Sequence, residues 1–147
     1  MDEDGSEGKL GRRDFNKAVA GTLVGSGLAS GVSEVEAQSA GEVVWSFETG
    51  DNVVSSPTLV NNKVYFGSDD GNLYAVDASS GELVWRFETG DWVKSAPSVV
   101  DGTVFVGSDD THLYAVDAAT GEQQWAFETG NNVSSSPTVV DGTVFVG

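Results

Sequence analysis

Residues 75–85 read Ala75-Val76-Asp77-Ala78-Ser79-Ser80-Gly81-Glu82-Leu83-Val84-Trp85. Residues 115–125, 40 positions later, read Ala115-Val116-Asp117-Ala118-Ala119-Thr120-Gly121-Glu122-Gln123-Gln124-Trp125. The same step runs outward from these stretches. Trp45, Trp85 and Trp125 each open a Trp-x-Phe-Glu-Thr-Gly run, closing at Gly50, Gly90 and Gly130. Pro57, Pro97 and Pro137 keep the step, as do Gly67, Gly107 and Gly147. Self-similarity at a fixed period of this size marks an array of one supersecondary unit.

Within a unit the pattern is strand-like throughout. Residues 56–60 lead through Asn61-Asn62 into 63–67, and the matching turns are Asp101-Gly102 and Asp141-Gly142. Such pairs accept the positive φ of two-residue hairpin turns. Ser68-Asp69-Asp70-Gly71-Asn72 turns the chain into 73–77, residues 78–81 turn it into 82–88, and Thr89-Gly90 ends the unit. No stretch has helical spacing of apolar residues. Four short antiparallel strands per unit predict an all-β chain, a β-propeller of four-stranded blades. Residues 73–76 are apolar on both faces, as a strand sandwiched between blades requires, and Trp85 and Trp125 offer rigid surface for that contact. A β-solenoid is the structural alternative, although its coils are usually shorter and need no tight hairpins.

Composition limits the partners. The chain has 147 residues and a formal net charge of −16, from 23 acidic and 7 basic residues. From residue 41 onward only Lys63, Arg86 and Lys94 are basic, against 16 acids. Such a surface repels nucleic acid and anionic membranes. The acidity reads as that of a soluble acidic protein or, with lysine scarce and aspartate abundant, as the surface of a halophilic protein of archaeal type. There is no cysteine, which excludes disulfides, thiolate metal sites and a cysteine nucleophile. No apolar run is long enough for a membrane helix.

Residues 1–40 read as a leader outside the folded core, and residues 41–147 as the repeats. Residues 11–17, with Arg12 and Arg13 followed by Phe15 and Lys17, precede an uncharged stretch at 18–32, and small residues near Ala37 and Ala40 offer cleavage positions. This order is that of a signal peptide, and the arginine pair resembles a twin-arginine signal. Export of a soluble protein to the cell surface or beyond is the expectation.

The two 11-residue stretches quoted first resemble the tryptophan-docking motif of the pyrroloquinoline-quinone-type (PQQ-like) propeller repeat, and the resemblance covers residues 41–147. It implies that Ala75, Asp77, Gly81 and Trp85, then Ala115, Asp117, Gly121 and Trp125, lock adjacent blades together. It implies two kinds of relative: quinone-dependent alcohol and sugar dehydrogenases that use calcium, and cofactor-free scaffolds or sensors. The alcohol dehydrogenases carry an adjacent cysteine pair, absent here, and neither their calcium ligands nor their catalytic aspartate matches a position in this chain. No catalytic residue and no cofactor is evident; PQQ with calcium enters by resemblance alone. A WD-repeat propeller would want a Trp-Asp ending, which is missing.

Residues 45–147 amount to about two and a half units, fewer than a closed ring needs. A longer protein that supplies the remaining blades is one expectation; a ring assembled from several copies is the other. The turns at 69–72 and 109–112 share a face with the links at 51–52, 91–92 and 131–132. On this face the repeat changes. Trp92 replaces Asn52 and Asn132, and Lys94 replaces Val54 and Ser134. Trp92 reads as a ligand contact or as cover for apolar surface; Lys94 reads as a ligand contact or as a solvated charge. Asp69-Asp70 and Asp109-Asp110 read as turns before metal ligands. His112 stands without triad partners. Asn132-Val133-Ser134 is a glycosylation sequon. The leading expectation is an exported scaffold that binds a protein or polymer. The second is part of a PQQ-dependent dehydrogenase, and the third a sensor or adhesion module.

Overall fold

The structure, a computed structural model, describes residues 17–22, as backbone, and 41–147. Every described element is a strand: β1 (Lys17–Thr22), β2 (Glu42–Glu48), β3 (Thr58–Val60), β4 (Lys63–Gly67), β5 (Asn72–Asp77), β6 (Leu83–Glu88), β7 (Ser98–Val100), β8 (Thr103–Gly107), β9 (His112–Asp117), β10 (Gln123–Glu128), β11 (Thr138–Val140) and β12 (Thr143–Phe145). Two four-stranded antiparallel sheets, β3-β4-β5-β6 and β7-β8-β9-β10, are flanked by the pairs β1-β2 and β11-β12. These are propeller blades, two whole and two partial. Arg12 and Arg13 lie outside the described residues. β1 lies inside the stretch read as leader, and it pairs with β2.

The hairpins follow from the turn residues. Asn61 and Asn62 have φ of 50° and 61°, and Asp101-Gly102 and Asp141-Gly142 are likewise positive at both positions. That twist matches the flanking strands. Each fourth strand carries one extra residue immediately before its tryptophan. In β6, Ala75 pairs with Trp85 and Val76 with Leu83, so Val84 is skipped; in β10 the skipped residue is Gln124. A bulge there bends the strand and re-aims the indole.

The aim is toward the following blade. Trp85 Nε1 donates to the Ala118 carbonyl at 3.0 Å, and its ring lies where a β-carbon on Gly121 would come within 2.7 Å. Trp45 does the same one blade earlier, donating to Ala78 O at 2.8 Å against Gly81. Asp77 Oδ1 accepts from the Ser79 and Ser80 amides, and Asp117 Oδ1 from those of Ala119 and Thr120, which shapes the receiving turn. One docking motif therefore serves two interfaces: its Asp and Gly receive the tryptophan behind, and its own tryptophan reaches ahead. Trp45, which ends no docking motif, thus docks forward like Trp85.

The core lies between blades. Tyr65, Leu73, Ala75 and Trp85 of one blade pack with Val104, Val106, Val116 and Ala118 of the next, and with Val93 from the link. Phe66, Tyr74 and Val76 form a second cluster with Trp45 and Phe47. Pro97 and Pro137 give their carbonyls to Thr58 (2.6 Å) and Ser98, tying inner strands of successive blades.

Candidate functional site

The link at 91–95 is held at Val93. Its side chain is fully buried against Gly67, where there is no room for a β-carbon, and its amide donates to Ser68 O at 3.0 Å. On either side of it Trp92 is exposed and Lys94 half-buried. Trp92 is 46% exposed. Its carbonyl accepts the Asp109 amide at 2.8 Å, which brings link and turn onto one face.

Lys94, which the sequence reads as a ligand contact or a solvated charge, is ion-paired. Its Nζ lies 3.2 Å from Asp109 Oδ2 and 4.0 Å from the centroid of the Trp92 ring. Asp109 is buried, and its other oxygen accepts from Ser134 Oγ at 3.1 Å. Residues from two successive links thus converge on one carboxylate. A buried carboxylate needs such partners, since desolvation of an unpaired charge is costly. Asp69 holds the same place one blade earlier, where Val54 stands in the position of Lys94. Asp69 Oδ1 is buried without a hydrogen-bond partner among the described residues. Burial raises its pKa; Lys94 opposes this, and Asp51 and Asp109 add to it. The stretch from Asp69 to Gly71 and the link from Thr89 to Trp92 enclose a cleft of about 230 Å³.

The other aspartate of each pair belongs to the frame. Asp70 Oδ2 accepts the Gly50 amide at 2.9 Å and the Tyr74 hydroxyl at 2.5 Å, and Asp70 Oδ1 accepts the Asn72 amide at 2.9 Å. Asp110 repeats the set with Gly90, Tyr114 and His112. Burial alone would raise both carboxyls; the hydrogen bonds outweigh it and hold both below the usual range. Tyr74 is pushed up to about 12 by burial and by Asp70. His112 Nδ1 is 3.0 Å from the Asp110 carbonyl, on the rim of the turn. Thr111 sits at φ 75°, where the preceding repeat has Gly71. A β-branched residue is strained there.

The structure brings Trp92 and Lys94 together with Asp109 and Ser134. It keeps Ala75, Asp77, Gly81, Trp85, Ala115, Asp117, Gly121 and Trp125 in strands and turns away from this cluster. Asp109 and Ser134 were missed as partners; the signal was the simultaneous change of Val54 to Lys94 and Ser134 at one register position. The residues present do not fit a calcium-quinone centre. Among the described residues no three carboxylate or histidine side chains gather as a metal site. No helix among them is long and apolar enough to cross a membrane.

Known proteins place this geometry. No curated protein matches the chain. Among solved structures, BamB from Moraxella catarrhalis superposes with a TM-score of 0.70 at 22% identity, covering 90% of this chain and 37% of that one. The quinohemoprotein alcohol dehydrogenase ADHIIG from Pseudomonas putida HK5 gives 0.60 at 28% identity, over 67% of this chain and 17% of the enzyme. Quinohemoprotein alcohol dehydrogenase from Comamonas testosteroni gives 0.60 at 26%, over 66% and 17%. The chain thus spans well under half the length of each. The family described as outer membrane protein assembly factor BamB matches residues 29–147. The chain belongs to this family of propeller repeats.

Proposed function

We propose that this chain is part of an exported propeller scaffold that binds a protein or polymer partner on the face carrying Trp92. The observation behind this reading is the pairing of an exposed indole with a fixed cation. Trp92 is 46% exposed, while Lys94 beside it is tethered to buried Asp109. Exposed aromatics on rigid supports are common binding anchors. The aspartates Asp70 and Asp110 are committed to holding blades, which leaves them poorly suited to catalysis. A BamB-like family membership fits a scaffold with protein partners. The test is recovery of partners from the exported fraction by the full-length protein and by its Trp92→Ala variant. Loss of the partner with unchanged melting supports the reading; equal recovery by both rejects it. For export itself, Arg12→Lys with Arg13→Lys should stop secretion, and normal secretion of that variant would count against a twin-arginine signal.

A second reading is favoured by the quinohemoprotein alcohol dehydrogenases among the structural relatives. In it the chain is part of a PQQ-dependent dehydrogenase whose quinone and calcium are held by other blades. Full-length protein mixed with the quinone and calcium, followed by a dye-linked alcohol or sugar assay, decides this. Neither binding nor turnover would remove it.

A further inference from the structure

The strand β1 is not part of any repeat, yet it occupies a repeat's position. In the whole blades the third strand pairs with the fourth in one fixed frame. Asn72 pairs with Glu88 and Ala75 with Trp85, and Val84 is skipped; His112 pairs with Glu128 and Ala115 with Trp125, and Gln124 is skipped. β1 pairs with β2 in this same frame. Lys17 pairs with Glu48, Ala20 with Trp45 and Gly21 with Val43, and Val44 is skipped. Direction, end pairing and bulge position all coincide. Even the alanine recurs, with Ala20 where the repeats have Ala75 and Ala115.

Register is a strong constraint, because a slip of one residue exchanges the two faces of a strand. An open strand edge also invites pairing with other chains, so a covered edge is protected. What β1 lacks is the end of the motif. Thr22 stands where Asp77 and Asp117 cap the following turn through two amides each. Without that aspartate the turn loses both side-chain acceptor contacts. β1 therefore fills the place with a backbone ladder and without the cap that fastens a repeat strand.

We propose that Lys17–Thr22 is a surrogate third strand. It covers the edge of β2 and gives way, by strand exchange, to a strand of the Leu-Tyr-Ala-Val-Asp type found in β5 and β9. The leader then has a structural use while it remains attached: it keeps β2 in blade register, with Trp45 positioned to dock on Gly81.

The absence of cysteine allows a direct test on the full chain. The pair Lys17→Cys with Glu48→Cys should oxidise to a cross-link, because partnered residues across antiparallel strands fall within disulfide reach. The offset pair Lys17→Cys with Ser46→Cys should not. In the unsubstituted chain, amides of 17–22 should exchange slowly with solvent. An excess of a synthetic peptide with the sequence of residues 72–81 should speed that exchange about tenfold or more and block the cross-link, and a scrambled peptide should do neither. Equal cross-linking of both pairs, or free-chain exchange rates at 17–22, overturns the assigned register. Protection that persists under saturating peptide overturns the exchange.

Discussion

Trp85 and Gly121 belong to different blades, and each is shaped for the other. The indole of Trp85 is 8% exposed and covers a glycine whose φ is +79° and whose β-carbon, if present, would lie 2.7 Å from the ring. Contact and backbone conformation both demand glycine at 121. Gly142 isolates the second demand, since it has φ +77° with nothing within 4 Å.

Gly121→Ala should therefore cost more than Gly142→Ala. The strained φ alone is worth about 1 kcal/mol, and overpacking adds about 1–3 kcal/mol. Denaturant melting of the two variants measures the difference, and equal losses would show that the indole yields freely.

Trp85 and Trp125 should respond unequally to the same substitution. Trp125 is 40% exposed and has no carbonyl acceptor among the described residues, whereas Trp85 donates to Ala118 O. Trp85→Phe should cost about 1 kcal/mol by removing one of the two donors to that carbonyl, with the Tyr65 hydroxyl remaining at 3.3 Å. Trp125→Phe should change stability by about 0.5 kcal/mol or less. Thermal melting with tryptophan fluorescence separates them.

The acid limb of stability should be steep, and Asp70 and Asp110 should account for part of it. Their folded pKa values are depressed, so the folded chain binds fewer protons than the unfolded one. The stabilisation is complete above the ordinary carboxylate value of about 4 and is lost as pH falls through the folded values. Asp77 and Asp117 act in the same direction, and Asp69, which is raised, acts in the opposite one. Tyr74 has the reverse dependence at high pH. Its folded value of about 12 exceeds the usual 10.0, so its contribution is present below 10 and fades as pH rises through 12. Asp70→Asn with Asp110→Asn should lower stability at pH 7 and flatten the curve below pH 4 (roughly the unfolded carboxylate pKa). Urea midpoints across pH follow both limbs.

Thr111→Gly should stabilise the chain. Relief of a positive φ at a β-branched residue is worth about 1 kcal/mol or more, and the Thr111 carbonyl would still accept from the Thr129 amide at 2.8 Å. The reverse change, Gly71→Thr, should destabilise. Melting temperatures of both variants test the pair; a loss on Thr111→Gly would mean that the hydroxyl or methyl of Thr111 holds the turn.

The blades were legible because the hairpin residues Asn61-Asn62 and Asp101-Gly102 require their φ values, and because β5 and β9 are apolar on both faces. The periodic prolines were visible without their reason: Pro97 and Pro137 serve as carbonyl acceptors for the preceding inner strand. The direction of docking was not legible. Nothing local to Trp85 says that its acceptor is Ala118 rather than Ala78, because the choice is made by blade stacking. The ion pair of Lys94 was hidden for the same reason, since Asp109 lies 15 positions away and meets it only across a turn. The pairing of β1 escaped because Lys17–Thr22 has a leader's composition, and its register is imposed by β2.

Trp45 and Trp85 both reach forward, from one blade to the turn of the next. Such contacts are heterologous: two different surfaces meet, and each unit offers one of each kind. An array of this sort carries no stop signal in its contacts. A head-to-tail series closes into a ring when the rotation per unit divides a full turn, and otherwise it winds onward as a helix. The number of blades is thus an angular property of the whole contact between successive blades, in which the indole on its glycine is one part. Gly81 and Gly121 belong to the contacts between blades, so a change there acts on the angle between blades as well as on stability.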